Sequence, residues 1–167
     1  LGSVLEIGTY CGKSALNFAS VAEKVNGLVY TIDHHTGSEE HQLGEEYHDE
    51  DLFDLRIKKF NTLPEFIENL LSSKLGKFVI PIIDNSHNAS KTFSEKIGLL
   101  FIDGGHSLDA ALKDYNSWKN KIKRDGLLVI HDVFPDPKDG GRPPFEIYSL
   151  AKNSDEFEDL GIYESLG

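Results

Sequence analysis

A chain of 167 residues, 39% hydrophobic and 27% charged, is long enough to bury both faces of a sheet and too apolar to stay disordered. Its formal net charge of −11 repels nucleic-acid phosphates and anionic membranes, and no apolar run approaches the ~20 residues of a membrane span. A lone cysteine, Cys11, excludes an internal disulfide and fits a reducing, cytoplasmic compartment. No leader is visible and there is no methionine, so we expect a trimmed core or a piece of something longer.

In chain order, short runs rich in Val, Ile and Leu recur at Val4–Ile7, Leu28–Ile32, Phe78–Ile83, Ile97–Ile102 and Leu127–Ile130. Each is nearly continuous in its apolar residues, the pattern of parallel strands buried on both faces. Helical spacing fills the gaps. Ala15, Phe18, Ala19, Ala22 and Val25 form one stripe. Two further helices are expected at Leu52–Phe60 and Pro64–Leu71, the second opening on Pro64 with Asn61 or Thr62 as its cap. Leu108, Ala111, Leu112, Tyr115, Trp118 and Ile122 form another stripe behind Ser107 as N-cap. Strand and helix alternate, which predicts an α/β, doubly wound, Rossmann-like and mostly parallel sheet with helices on both faces, one domain over 1–167. Two segments break the alternation: the acidic, histidine-rich loop 34–51 and the turn-rich stretch PDPKDGGRPP, 135–144.

The first strand runs into VLEIGTYCGKS, which ends like a phosphate-binding loop. A Walker loop needs four residues between its glycines, and Gly8 and Gly12 enclose only Thr9, Tyr10 and Cys11. The dinucleotide fingerprint also fails, because Tyr10 stands where a glycine lets a pyrophosphate approach. What remains is Glu6, Gly8, Gly12 and Ser14 around a strand-to-helix turn, with Asp33 closing the second strand. A carboxylate at Asp33 can accept from both ribose hydroxyls, and the helix start favours a carboxylate tail. A ligand with a ribose and an amino-acid tail but no phosphate fits, and S-adenosylmethionine is such a ligand.

With those residues in place, the chain resembles the class I S-adenosylmethionine-dependent methyltransferases, most closely a small-molecule O-methyltransferase-like subgroup. The likeness rests on VLEIGTYCGKSALNFA, VYTIDHH, IIDNS, LLFIDGGHSLDAALKDYNSW and GLLVIHDVFPDP. It implies S-adenosylmethionine held by Glu6, Gly8, Thr9, Tyr10, Gly12, Ser14, Asp33, His34, Ser86 and Asp103. It also implies a seven-stranded sheet ending in an antiparallel hairpin, of which FEDLGIYESLG offers one strand without its partner; an unfinished edge would invite a homo-oligomer.

All seven histidines fall after expected strands: His34, His35, His41 and His48 after the second, His87 after the third, His106 after the fourth and His131 at the end of the fifth. The carboxyl ends of strands form the ligand crevice of an open α/β sheet. The bland reading of the 34–48 group is a solvated loop. Asp103, His106, His131 and Asp132 should meet at two neighbouring strand ends. Two chemistries fit there: a histidine acting as general base, with His106, His131 and Asp132 catalytic, or Mg2+ or another divalent ion on Asp103, Asp132 and His131. The expected activity is methyl transfer to an oxygen or nitrogen of a small molecule, with no nucleic acid or membrane as partner. The alternatives are a non-catalytic binding module of the same fold and a nucleotide- or NAD-dependent enzyme.

Overall fold

The computed structural model describes residues 2–45, 48–105, 107–136 and 138–167. In chain order they form β1 (Ser3–Ile7), α1 (Lys13–Val25), β2 (Val29–Asp33), β3 (Phe53–Asp54), β4 (Lys59–Phe60), α2 (Leu63–Ser72), β5 (Val79–Ile83), α3 (Ser86–Thr92), β6 (Ile97–Ile102), α4 (Leu108–Trp118), β7 (Ile122–Ile130) and α5 (Arg142–Lys152). Five of the strands make one parallel sheet in the order β5-β2-β1-β6-β7. Chain order reverses beside β1, and an open α/β sheet binds its ligand at such a switch point.

Strand alternation sorts side chains between the two helical layers. Leu5, Ile7, Tyr30, Ile32, Leu100 and Ile102 point to one face, where α3, α4 and α5 cover them with Ala89, Ala111, Tyr115, Trp118, Ile147 and Tyr148. Val4 and Val29 point to the other, under Ala15, Ala19 and Ala22 of α1 and Phe66 and Leu70 of α2. The alanine stripe lets α1 lie close on the sheet. The same alternation puts Glu6, registered against Thr31, on the α1 face. Trp118 is fully buried, as its helical spacing predicted.

Ser107 caps α4 as expected, its hydroxyl accepting from the Ala110 N–H at 3.3 Å. Ser107→Ala is expected to cost about 1 kcal/mol, measured as a lowered melting temperature. Of the two candidate caps of α2, Thr62 holds the N-cap position but makes no side-chain cap bond, and Asn61 Oδ1 accepts from the Leu63 N–H at 3.3 Å.

Three expectations need correction. Leu52–Phe60 is no helix but the small antiparallel hairpin of β3 and β4, with Phe53 facing Phe60. Asp54 accepts from the backbone and guanidinium of Arg56, a local bonding pattern that competes with helix, and Lys58 turns the chain at φ 53°. The apolar spacing that suggested a helix leaves Leu55 and Ile57 in solvent. Second, the stretch after Pro135 is not loop throughout, because Arg142, Pro143 and Pro144 open α5, where proline suits a first turn. Third, residues 157–167 add no strand to the sheet. A single bridge joins Tyr163 to Leu166, and Gly167 exchanges two backbone bonds with Ile130, at 2.8 and 3.0 Å.

Candidate active site

The carboxyl ends of β1, β2, β5, β6 and β7 open into a crevice of about 1280 Å³. Gly8, Thr9, Tyr10, Ser14, Asp33, His34, Ser86, Asp103, His131 and Asp132 all line it. His106 lies outside the described residues. Glu6 and Gly12 stand behind the lining and shape it from there.

The glycine loop is held from three sides. Asp33 Oδ2 accepts from the N–H groups of Thr9 and Tyr10, both at 2.9 Å, and Oδ1 accepts from His35 N–H at 2.7 Å. Asn69 of α2 donates to the Cys11 carbonyl at 3.0 Å. Beneath the loop runs a buried chain in which Thr31 donates to Glu6 and Thr9 donates to Thr31. Glu6 is fully buried, its Oε1 has no hydrogen-bond partner among the described residues, and burial raises its carboxyl to about 7 against the pull of the Ser14 and Thr31 hydroxyls. Gly8 sits at φ 90°, and a Cβ there would lie 1.9 Å from the Asp103 carbonyl oxygen, so only glycine lets the loop rest on the end of β6. Gly12, at φ 88°, starts α1 without a side-chain cap and with no acid in its first turn. That helix start is therefore open to an anionic group. Burial pushes the Cys11 thiol up to about 11, so it is no nucleophile at neutral pH.

At the other wall, Asp103 follows β6 and His131 and Asp132 follow β7. His131 Nδ1 lies 3.1 Å from Asp103 Oδ1 and 3.1 Å from Asp132 Oδ1. That nitrogen is shut off from solvent yet makes no aligned hydrogen bond to either. One ligand atom from each of the three residues falls within 4.8 Å of the others, the single such group among the described residues. Asp132 holds φ 57°, an uncommon backbone state for a residue other than glycine and one found where function over-determines geometry.

The histidines of 34–48 divide between structure and crevice. His35 is buried, stacks on the Phe66 ring at 5.0 Å, and pairs its Nδ1 with Thr62 Oγ1 at 2.7 Å; burial lowers its pKa and keeps it neutral. It is a core histidine. His34 and His41 reach the crevice wall but also brace their own loop, through Thr36 and Ser38. His48 bonds the His41 carbonyl at 3.0 Å. His87, expected after the third strand, falls inside the first turn of α3 and pairs with Ser117 at 3.0 Å. Tyr10, His41 and the buried Phe60 form a ring cluster with centroids 5.1 to 6.2 Å apart, and Tyr10 and His41 line the crevice.

The sequence reading missed Asp114. This α4 residue is buried, lines the crevice and bonds Ser86. Its signal was there, because Asp114 lies three residues after Ala111 and four before Trp118, on the core stripe of the helix.

Residues 5–133 match the profile of a methyltransferase domain family. The chain belongs to that family. Solved structures carry the same fold. The methyltransferase domain superposes on the SAH-bound methyltransferase PaMTH1 of Podospora anserina with a TM-score of 0.55 and 17% identity, over 79% of this chain and 46% of that one. With the O-methyltransferase NovP the TM-score is 0.66 at 13% identity, over 91% and 63%. With an rRNA methylase from Streptococcus thermophilus it is 0.56 at 13%, over 98% and 81%. The methyltransferase domain thus spans less than half the length of the Podospora enzyme. No described helix of the methyltransferase domain is long and apolar enough to cross a membrane.

Proposed function

We propose that this domain uses S-adenosylmethionine to methylate an oxygen or nitrogen of a small molecule. The observation that carries the reading is a shared contact. Gly8 of the glycine loop rests on the Asp103 carbonyl, so the ligand loop and the Asp103–His131–Asp132 group are built onto one another. The Asp33-tethered loop suits a ribose, and the open start of α1 suits the amino-acid carboxylate. The ligand itself supplies a sulfonium-activated methyl group. The acceptor atom bonds to that carbon as the carbon–sulfur bond breaks, and the acceptor's proton leaves to a group of this wall. His131 is placed to take it, with Asp103 and Asp132 stabilising the imidazolium. Most of the rate then comes from positioning.

Two carboxylates and a ring nitrogen without an aligned hydrogen bond also fit a divalent ion such as Mg2+ or Mn2+. Such an ion, when bound, would polarise the acceptor oxygen and lower its pKa. The NovP likeness supports an O-methyltransferase reading, and the rRNA methylase likeness would favour RNA. The crevice wall favours the former. It carries Asp33, Glu39, Asp49, Glu50, Asp109 and Asp132 against Lys13 and Lys113, a field that repels phosphodiesters.

Calorimetric titration of S-adenosylhomocysteine into chelator-treated protein is expected to give micromolar affinity. Adding Mg2+ is expected to tighten it several-fold in the wild type and not in His131→Ala, whose metal-free affinity stays within about threefold of wild type. Binding indifferent to Mg2+ and Mn2+ would leave His131 as base alone. No binding by a folded chain would sink the reading and favour a non-catalytic module.

A further inference from the structure

Thr62 holds the N-cap position of α2, where a threonine hydroxyl ordinarily accepts from the first turn of its own helix. This one makes no cap bond. Its Oγ1 faces His35 Nδ1 at 2.7 Å instead, and the Thr62 N–H donates to the His35 carbonyl at 3.1 Å. Side chain and backbone therefore join the same two residues. The His35 ring also stacks on Phe66, one turn into α2. His35 and Thr62 are both buried, and burial keeps the ring neutral, so the contact needs no counter-ion. His35 reaches it from φ 58°, a backbone state that a non-glycine residue keeps only under constraint.

The pair ties together two parts of the crevice frame. On the β2 side, the His35 N–H donates to Asp33 Oδ1, while Oδ2 of that carboxylate holds the Thr9 and Tyr10 N–H groups. On the α2 side, two residues reach the same glycine loop. The Phe66 ring lies against the bare Cα of Gly12, where a Cβ would come within 2.8 Å of it. Asn69 donates to the Cys11 carbonyl at 3.0 Å. Each residue from Thr9 to Gly12 is thus held either from the end of β2 or from α2, and His35 fastens the one to the other. His35 is not among the residues that line the crevice, whereas Thr62 is.

We propose that His35 is a positioning residue that locks α2 to the end of β2 and so holds the glycine loop ready for its ligand. This inference rests on the S-adenosylmethionine reading. A loop already in place loses less freedom when the ligand binds, and the difference appears as affinity.

The test is calorimetric titration of S-adenosylhomocysteine into folded variants. Thr62→Val, which keeps the shape and removes the hydroxyl, is expected to bind about tenfold more weakly than wild type, the scale of one hydrogen bond. Thr62→Ser, which keeps the hydroxyl, is expected to stay within about threefold of wild type. His35→Ala loses the ring stack as well and is expected to bind about 30-fold more weakly. The double variant His35→Ala/Thr62→Val is expected to match His35→Ala, because the shared bond can be lost only once. Additive losses, about 300-fold in the double variant, would mean that Thr62 touches the ligand independently and overturn the proposal. So would affinities within about threefold of wild type in His35→Ala and Thr62→Val alongside lowered melting temperatures, the result for a merely structural pair. Should His35→Ala fail to fold by circular dichroism, equal binding by Thr62→Val and Thr62→Ser overturns it. A folded wild type that binds nothing sinks the cofactor reading, and hydrogen exchange in ligand-free protein then decides the lock. The Thr9 and Tyr10 amides are expected to exchange about tenfold faster in Thr62→Val than in wild type. Unchanged exchange there overturns the proposal whatever the ligand.

Discussion

Asp33→Ala is expected to lower the affinity for S-adenosylhomocysteine by about a thousandfold, because two losses coincide. The first is ligand contact. In the proposed pose the Asp33 carboxylate accepts from the ribose, and a methyl group cannot. The second is the loop itself. Three backbone N–H groups, those of Thr9, Tyr10 and His35, converge on this carboxylate at 2.7 to 2.9 Å. Without it, the Thr9 and Tyr10 donors lose the anchor that keeps their turn over the end of β2. Tyr10 sits at φ 50° and His35 at φ 58°, states that persist only while their surroundings impose them. The free protein should also lose about 2 to 3 kcal/mol of stability, read from urea unfolding. Asp33→Asn preserves the shape but turns an NH2 group toward one set of donors, so its affinity should fall between the two. An Asp33→Ala variant that binds within threefold of wild type would remove Asp33 from the site.

The parallel strands and the crevice at their carboxyl ends were legible because buried parallel strands leave near-continuous apolar runs, and each run here ends in a polar turn. The glycine loop could be read by elimination, since phosphate loops demand spacings that Gly8 and Gly12 lack. Asp103, His131 and Asp132 could be brought together on paper because β6 and β7 are consecutive parallel neighbours. Other features were hidden for physical reasons. The hairpin of β3 and β4 carries apolar residues at helical spacing, but Leu55 and Ile57 are spent on solvent, and only the Asp54–Arg56 bonding reveals the turn. His35 and His34 are adjacent, yet one is core and the other crevice wall. Which is which depends on Phe66 and Thr62, far along the chain, and no local pattern encodes that. Glu6 looked like a ligand contact. Strand alternation turns it under α1 instead, so it acts on the loop through Thr31 and Thr9.

That burial of Glu6 has a thermodynamic signature. Its carboxyl stands at about 7 in the folded chain against 4.5 for the ordinary group, and burial is the main cause. Between those values the folded state holds a proton that the unfolded state has released. Stability therefore falls as pH rises through this window and levels off above about 7, by about 3 kcal/mol in all. Other groups titrate nearby. Burial raises Asp114 to about 6, which adds to the same trend. His35 is held neutral by burial, so it opposes the trend, costing stability as pH falls below its ordinary range. The wild-type curve alone would blend the three. Glu6→Gln isolates one, because glutamine keeps the shape, accepts from Thr31 and never ionises. The stability of the variant minus that of wild type is expected to shift by about 2.5 kcal/mol in favour of the variant between about pH 5 and about pH 8, in cofactor-free protein followed by urea unfolding. His35 and Asp114 cancel in that difference. Parallel pH profiles for the two proteins would mean that Glu6 is ionised throughout, with its charge held by the Ser14 and Thr31 hydroxyls. The Thr9–Thr31–Glu6 chain would then fix the glycine loop through a carboxylate rather than a carboxylic acid.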